Sequence, residues 1–198
     1  SSVKVGGMAS GGDSPGDNAL FLGDQAHDSG AIGLAMTGNI ALDTVVAQGC
    51  RPVGQLMSIT KSQQNLLMEL DQRPPLDLVR ELYTSSSQRD QELMQSSLFL
   101  GILMDDLMEE PKHGDFLVRN VVGIDSKSGV MAIGEILREG QRVQFHLRDS
   151  LTSTDDLAEL LTRYSGEERN TRGEGALLFS CLGRGEYLYG YPDHDTNM

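Results

Sequence analysis

The chain has 198 residues, enough for one globular domain, or one and a part, with a real hydrophobic core. Its formal charge of −13 repels a phosphate backbone and an anionic lipid surface, which argues against general nucleic-acid binding and against a membrane-surface protein. No apolar run approaches the roughly 18 residues of a membrane span, so membrane insertion is not expected. Trp is absent and aromatics make up 5%, so aliphatic side chains and the 9 methionines must fill the core.

A start of Ser-Ser-Val implies that the natural beginning lies upstream, so the lack of a signal peptide carries little weight. Two cysteines about 130 positions apart are too few for a disulfide framework and favour a reducing, intracellular, cytoplasmic setting.

Residues 3–8 read as a strand entering the glycine-rich stretch 6–12, followed by a polar loop over 13–18. The apolar run 19–22 turns at Gly23-Asp24, and 31–36 is a second apolar segment. Gly38-Asn39 then separates it from 40–47, where β-branched residues dominate; a Gly-Asn pair between two such runs signals a hairpin. Segments 54–60 and 66–70 form a further pair, which makes the first third an antiparallel meander.

Pro74-Pro75 stops that pattern, since proline cannot donate to a strand ladder. Leu76, Val79, Leu82 and Tyr83 follow at helical spacing, and a second helix is expected over roughly 88–95 with Leu93 and Met94 turned inward. Residues 98–104 read as a buried strand, and the acidic stretch 105–110 leads to a loop ending near Asp115. Three strands at 116–124, 130–136 and 142–147 are punctuated by Gly129 and Gly140. The alternation of Val143, Phe145 and Leu147 gives the last one a buried and a wet face. Ser150 to Asp156 is dense in N-cap residues, and Leu157, Leu160, Leu161 and Tyr164 mark a helix ending near Gly166. A polar surface loop over 166–174 is followed by a core strand at 176–179. The expected fold is α/β of the α+β kind, with mostly antiparallel sheets of about ten strands and three helices.

Each cysteine is followed closely by an arginine and flanked by glycine, in Gln48-Gly-Cys-Arg-Pro-Val-Gly54 and Phe179-Ser-Cys-Leu-Gly-Arg-Gly185. Cys181 could serve as a thiol beside Arg184, or as a small apolar residue closing the end of a core strand. Cys50 carries the same two readings, with Arg51 at a turn able to hold an anion or pair with a carboxylate. Residues 6–12 lack the Gly-Lys-Ser/Thr ending of a P-loop, and Gly183-Arg-Gly185 lacks the third glycine of a dinucleotide fingerprint. The acidic stretch lacks calcium-loop spacing. His27, His113, His146 and His194 are never paired at i, i+4, so neither a metal site nor a cofactor is expected. Asp193-His194-Asp195 is one compact ionisable group after three tyrosines. It reads either as lining a pocket near Arg184 or as the start of a helix.

Four blocks stand in order along the chain: the stretch from Gly38 to Gly54, Glu69-Leu-Asp-Gln-Arg-Pro-Pro-Leu-Asp77, Phe116-Leu-Val-Arg-Asn-Val-Val-Gly-Ile-Asp125 and Leu178-Phe-Ser-Cys-Leu-Gly-Arg-Gly185. Together they resemble a FIST domain, a sensory module named for F-box and intracellular signal transduction proteins. By this likeness residues 1–53 are the end of the family's N-terminal half, and 54–198 its C-terminal half, truncated before a closing glycine-rich motif. The form of the block around Cys50 looks most like the cyanobacterial or plastid type, which would add a plastid stroma as a location.

The resemblance implies a non-enzymatic sensor of a small ligand, such as an amino acid or another small anion, coupled to a protein partner in signal transduction. Arg51 and Arg184 would hold the anion beside Cys50 and Cys181, while Gly183 and Gly185 allow close backbone approach. The alternatives are a structural or adaptor subunit docking on a larger assembly, and a thiol enzyme using Cys181.

Overall fold

The computed structural model describes residues 4–9, 11, 12, 14, 16–111, 114–166, 175–181 and 183–198. Val3, Asp13, His113, Leu182 and the greater part of the expected loop 166–174 lie outside the described residues. The chain divides into two compact units, Ala47–Leu160 and the pair of segments Ser1–Val46 and Leu161–Met198.

The first unit is a closed barrel, assembled from strands that the hydrophobic alternation and turn residues largely foretell. The strand β3 (Cys50–Gln63) turns through Gln64-Asn65 into β4 (Leu66–Leu70). Pro75 opens α1 (Pro75–Ser85) at a position where the missing N–H costs nothing. The Ser87 side chain caps α2 (Gln88–Ser96) by accepting from Asp90 N, so the two helices form a corner above the strands. Next come β5 (Leu98–Leu103), β6 (Phe116–Ile124), β7 (Met131–Ile133) and β8 (Arg142–Arg148). The long helix α3 (Ser150–Gly166) follows directly. All pairings are antiparallel in the order β3-β4-β7-β6-β5-β8, and β8 returns to pair with β3.

Closure depends on β3 serving two neighbours along its length. Its first part pairs with β8, from Cys50 opposite Arg148 to Ser58 opposite Arg142, and its last part pairs with β4. Between Val53 and Met57 the register shifts, and Gly54 takes φ +69° there. That left-handed conformation suits glycine and bends the strand, as bulges do at barrel corners. The Gln144 side chain donates to Gly54 O at 2.8 Å and ties down the bend.

Inside, Met57, Ile59, Leu67, Leu70, Leu100, Ile102, Met131, Ile133, Val143 and Phe145 pack as one cluster, closed by Leu78 of α1 and Leu137. The alternation expected in β8 is present, with one addition: His146, on the opposite face from Phe145, is also buried. Its ring lies edge-on to Phe116 at 4.9 Å and over Gly101 of β5.

In the second unit, β1 (Leu20–Leu22) and β2 (Gln25–His27) form a hairpin about Gly23-Asp24, where the sequence placed a turn. Three expectations fail there. Residues 4–8 and 31–46 contain no strand, and Gly38-Asn39 is a bend with Ile40 N bonded to Gly38 O. Residues 175–181 form no strand either, and Leu177, Leu178 and Phe179 are exposed rather than core. An apolar run becomes a strand only where a neighbour accepts its backbone hydrogen bonds, which local pattern does not supply. Two single-turn helices, α4 (Glu186–Tyr189) and α5 (His194–Asn197), end the chain. The described residues therefore hold eight strands and five helices, not ten and three.

A Cβ at Gly101 would sit 2.3 Å from the His146 ring, whereas one at Gly123 of β6 meets nothing within 4 Å. Gly101→Ala is therefore expected to cost about 2 kcal/mol or more through overpacking. Gly123→Ala should shift stability far less. Urea denaturation of both variants checks the contrast.

Candidate functional site

The six residues singled out by sequence fall in different units: Cys50 and Arg51 at the start of β3, and Cys181, Gly183, Arg184 and Gly185 in the C-terminal segment. Each group is built from its own surroundings.

In the barrel unit, the chain reaches β3 through Gln48-Gly49, and polar side chains anchor that entry. The Gln48 amide donates to Phe116 O and accepts from Val118 N at 2.8 Å, so one side chain imitates a neighbouring strand's peptide group. It does so at the first part of β6, since β7 pairs only with the later stretch from Val121 to Ile124. Gly49 N donates to the buried Asp156 carboxylate at 2.9 Å, and Ser153 Oγ donates to Gly49 O at 3.2 Å. The buried face of α3 is thus polar at Ser153 and Asp156. Both groups are satisfied by one glycine backbone, as burial requires.

Cys50 is 2% exposed, and its sulfur lies 3.4 Å from Arg148 Nε. The same guanidinium stacks over the Phe99 ring at 4.6 Å. Arg51 ion-pairs with Asp90 of α2 and reaches Asp149 at 3.6 Å, and Arg89 approaches the same Asp149 at 3.4 Å. Asp149 in turn accepts from Thr152 N at 2.8 Å at the start of α3. Its carboxyl is held below the ordinary range: burial opposes this, but the Thr152 hydrogen bonds and the two arginines outweigh it. Of the two readings for Arg51, pairing with a carboxylate is the one observed. The network ties α2 and the start of α3 to the barrel.

The second group gathers around Arg184. Its backbone N donates to Cys181 O at 2.9 Å, which turns the chain, and Gly183 N donates to the Cys181 sulfur at 3.4 Å. Cys181 itself is exposed, so the expectation that it packs at the end of a core strand is corrected. The strand that would have buried it does not form. Gly185 takes φ 108° and ψ −156°, a region that only glycine occupies readily, and this lets α4 begin at once.

The Arg184 guanidinium meets Asp195 side-on, with Nε to Oδ2 at 2.5 Å and Nη2 to Oδ1 at 2.9 Å. Both side chains are largely buried, at 7% and 11% exposure. His194 Nδ1 lies 3.0 Å from Asp195 Oδ1, and the His194 ring stacks on Tyr189 at 3.6 Å with planes 5° apart. Arg184 lies 5.7 Å from the Tyr189 ring centroid. The Arg184 fork foremost, with His194 and Tyr189, lowers the Asp195 carboxyl to about 2 against the opposing effect of burial.

Two readings stood for Asp193-His194-Asp195, the lining of a pocket near Arg184 and the start of a helix; Asp195 pairs with Arg184, His194 bonds Asp195, and His194–Asn197 form one helical turn. Gln48, Ser153 and Asp156 carried no motif that would have marked their roles, and only partners 68–107 positions away explain them, while Asp149 is explained by Arg51 and Arg89 together with Thr152. Among the described residues no group of three or more His, Cys, Asp and Glu side chains could hold a metal ion.

Comparison with known proteins extends over nearly the whole chain. The FIST N domain model matches residues 1–73 and the FIST C domain model residues 75–197. Two uncharacterized proteins from different strains of Mycobacterium tuberculosis are each 37% identical over 193 residues, covering 98% of this chain and 50% of the relative. An uncharacterized protein of Mycobacterium bovis is 36% identical over the same length and coverage. The chain thus spans about half the length of the curated relatives it matches. No solved structure matches it significantly.

Two outcomes follow from the local geometry. Iodoacetamide should label the exposed Cys181 in the native protein and leave the buried Cys50 unlabelled until unfolding, with rates at least about a hundred-fold apart. Mass spectrometry of the two peptides decides it. The second concerns pH. A carboxyl lowered from 3.8 to about 2 stabilises the fold fully above about pH 4 and loses that contribution as pH falls toward 2. NMR titration of the Asp195 carboxyl carbon should give a midpoint near 2, rising toward the ordinary range in Arg184→Ala. An ordinary midpoint in the unsubstituted chain would contradict the buried pair.

Proposed function

The chain belongs to the FIST family, and we propose that it is a non-catalytic sensory module. It binds a small anionic ligand, of which an amino acid is the chemical archetype, and couples that binding to a protein partner in signal transduction. The observation that carries this reading is the buried Arg184 fork, already holding a carboxylate in side-on geometry between Gly183 and Gly185. That geometry is the one by which a planar guanidinium recognises a free carboxylate, and it cannot be reproduced by lysine. Cys181 on the adjacent turn, with its sulfur turned to Gly183 N, forms the rim of the same site.

Arg51 and Cys50 have a supporting role in this reading. Arg51 is engaged with Asp90 and Asp149, so it fixes the helices on the barrel, and Cys50 fills the corner beside Arg148. The division into an N-terminal part ending near residue 53 and a C-terminal part beginning at 54 belongs to this proposal as well. So does an intracellular setting. No helix among the described residues is long and apolar enough to cross a membrane. The relatives reported above are mycobacterial, which gives a cyanobacterial or plastid affinity no support.

Thermal-shift measurement against a panel of amino acids and small carboxylates tests the proposal. A ligand that binds the folded state raises the melting temperature in proportion to its concentration over Kd. The expected result is a shift of a few degrees at millimolar concentration for a subset of the panel, lost in Arg184→Ala and not restored in Arg184→Lys. A panel that shifts nothing, or shifts the Arg184→Ala variant equally, removes the sensor reading.

A further inference from the structure

The second unit leaves a long apolar surface uncovered. Ile32, Leu34 and Met36 recur at every second position, as do Ile40 and Leu42 after the Gly38-Asn39 bend, with Val46 four positions further on. All six are exposed, Leu34 at 82%. The intervening positions are small or polar at Gly33, Ala35, Ala41 and Asp43, and the exposed Val45 interrupts the alternation. Period-2 alternation of this kind belongs to strands with one buried face, yet residues 31–46 pair with nothing as strands. A second apolar stretch at 176–179 likewise belongs to no strand and is open, with Leu177 78% exposed. Monomeric proteins rarely leave contiguous apolar surface of this extent bare, and an unpaired strand-forming segment is a template for another sheet.

We propose that residues 31–46 and 176–179 are a β-docking surface, and that its occupant is the polypeptide half that the relatives carry outside the matched region. That half is available in length: the match takes up 50% of the relatives, which leaves them as much chain again. Both runs lie in the unit that contains residues 1–46; 31–46 falls inside the match to the FIST N domain model and 176–179 inside the match to the FIST C domain model. Strand addition satisfies the free backbone groups of 31–46 and covers the Ile32–Leu34–Met36 face in one step. Gly38-Asn39 then becomes the hairpin turn its sequence suits, because a II′ turn needs positive φ at its first central residue and Gly38 already has φ +109°. A second copy of this chain is a poorer occupant, since it repeats the net charge of −13 against itself. The surface is independent of whether Arg184 binds a ligand.

Hydrogen exchange tests the assignment. It is measured on the 198-residue chain alone, on the chain co-expressed with the half of a Mycobacterium tuberculosis relative outside the match, and on that intact relative at the aligned residues. Alone, amides 32–46 should exchange at nearly the rate of an unprotected peptide. In a co-purified 1:1 complex and in the intact relative they should slow about a hundred-fold or more. Leu34→Lys combined with Leu42→Lys should abolish the complex while β5 and β8 keep their protection. Where halves of different origin fail to join, the intact relative decides. Unprotected exchange at its aligned residues overturns the proposal. Protection of 32–46 in this chain by itself, rising with concentration as a homodimer forms, overturns it in favour of a second copy.

Discussion

The double engagement of β3 is the constraint on which the barrel unit depends. One 14-residue strand must satisfy β8 along its first part and β4 along its last, so it has to bend between them. Gly54 supplies the bend, and its Cβ-less face also allows Leu82 of α1 to approach, since a Cβ there would lie 3.2 Å from the leucine methyl. Strand curvature and the seating of the first helix are thus one event. At the other end of β3 the polar clasp of Gln48, Gly49, Ser153 and Asp156 fixes where the strand begins. Without it, the register between Cys50 and Arg148 would have no stop at the open end of the ladder.

Local signals were legible because they report local physics. The turn at Gln64-Asn65, the helix after Pro74-Pro75, the capped helix at Ser87, and the strands bounded by Gly129 and Gly140 all stand close to where the sequence placed them. Closure of the barrel was not legible. It pairs β5 with β8 across the intervening β6 and β7, and no turn residue encodes a partner forty positions away. The failures at 31–46 and 176–179 have the opposite character. There the pattern is strand-like and the residues are apolar, but no described strand pairs with them, so the expected strands do not form. Local propensity alone does not make a strand without a ladder partner.

The candidate site shows the same division. Arg184 and the glycines beside it were visible as an unusual run, and Gly185 proves to need its missing side chain for a φ of 108°. The partner is an aspartate eleven positions on, marked in the sequence only as part of a compact ionisable group, in a one-turn helix with no side-chain cap. So short a helix has little stability of its own, and its Asp193 even begins it from the left-handed region. The fork on Asp195 and the stacking of His194 on Tyr189 therefore hold the C-terminal segment in place, rather than the helix presenting the carboxylate.

That order of dependence bears on what an anion must do to bind at Arg184. It meets a carboxylate of the same chain whose effective concentration is at least millimolar, because it is tethered a few residues away. A bare acetate offers nothing that Asp195 does not, and gains only what mass action gives it. An amino acid brings an ammonium group and a side chain, each able to find contacts that Asp195 lacks. Displacement of Asp195 would also free the segment that the fork and the stack organise, so ligand occupancy and the fold of residues 184–197 would be coupled through one arginine. A sensor requires just such a link: the ligand must prefer one of two arrangements, and the preference can be no larger than the difference in its contacts between them.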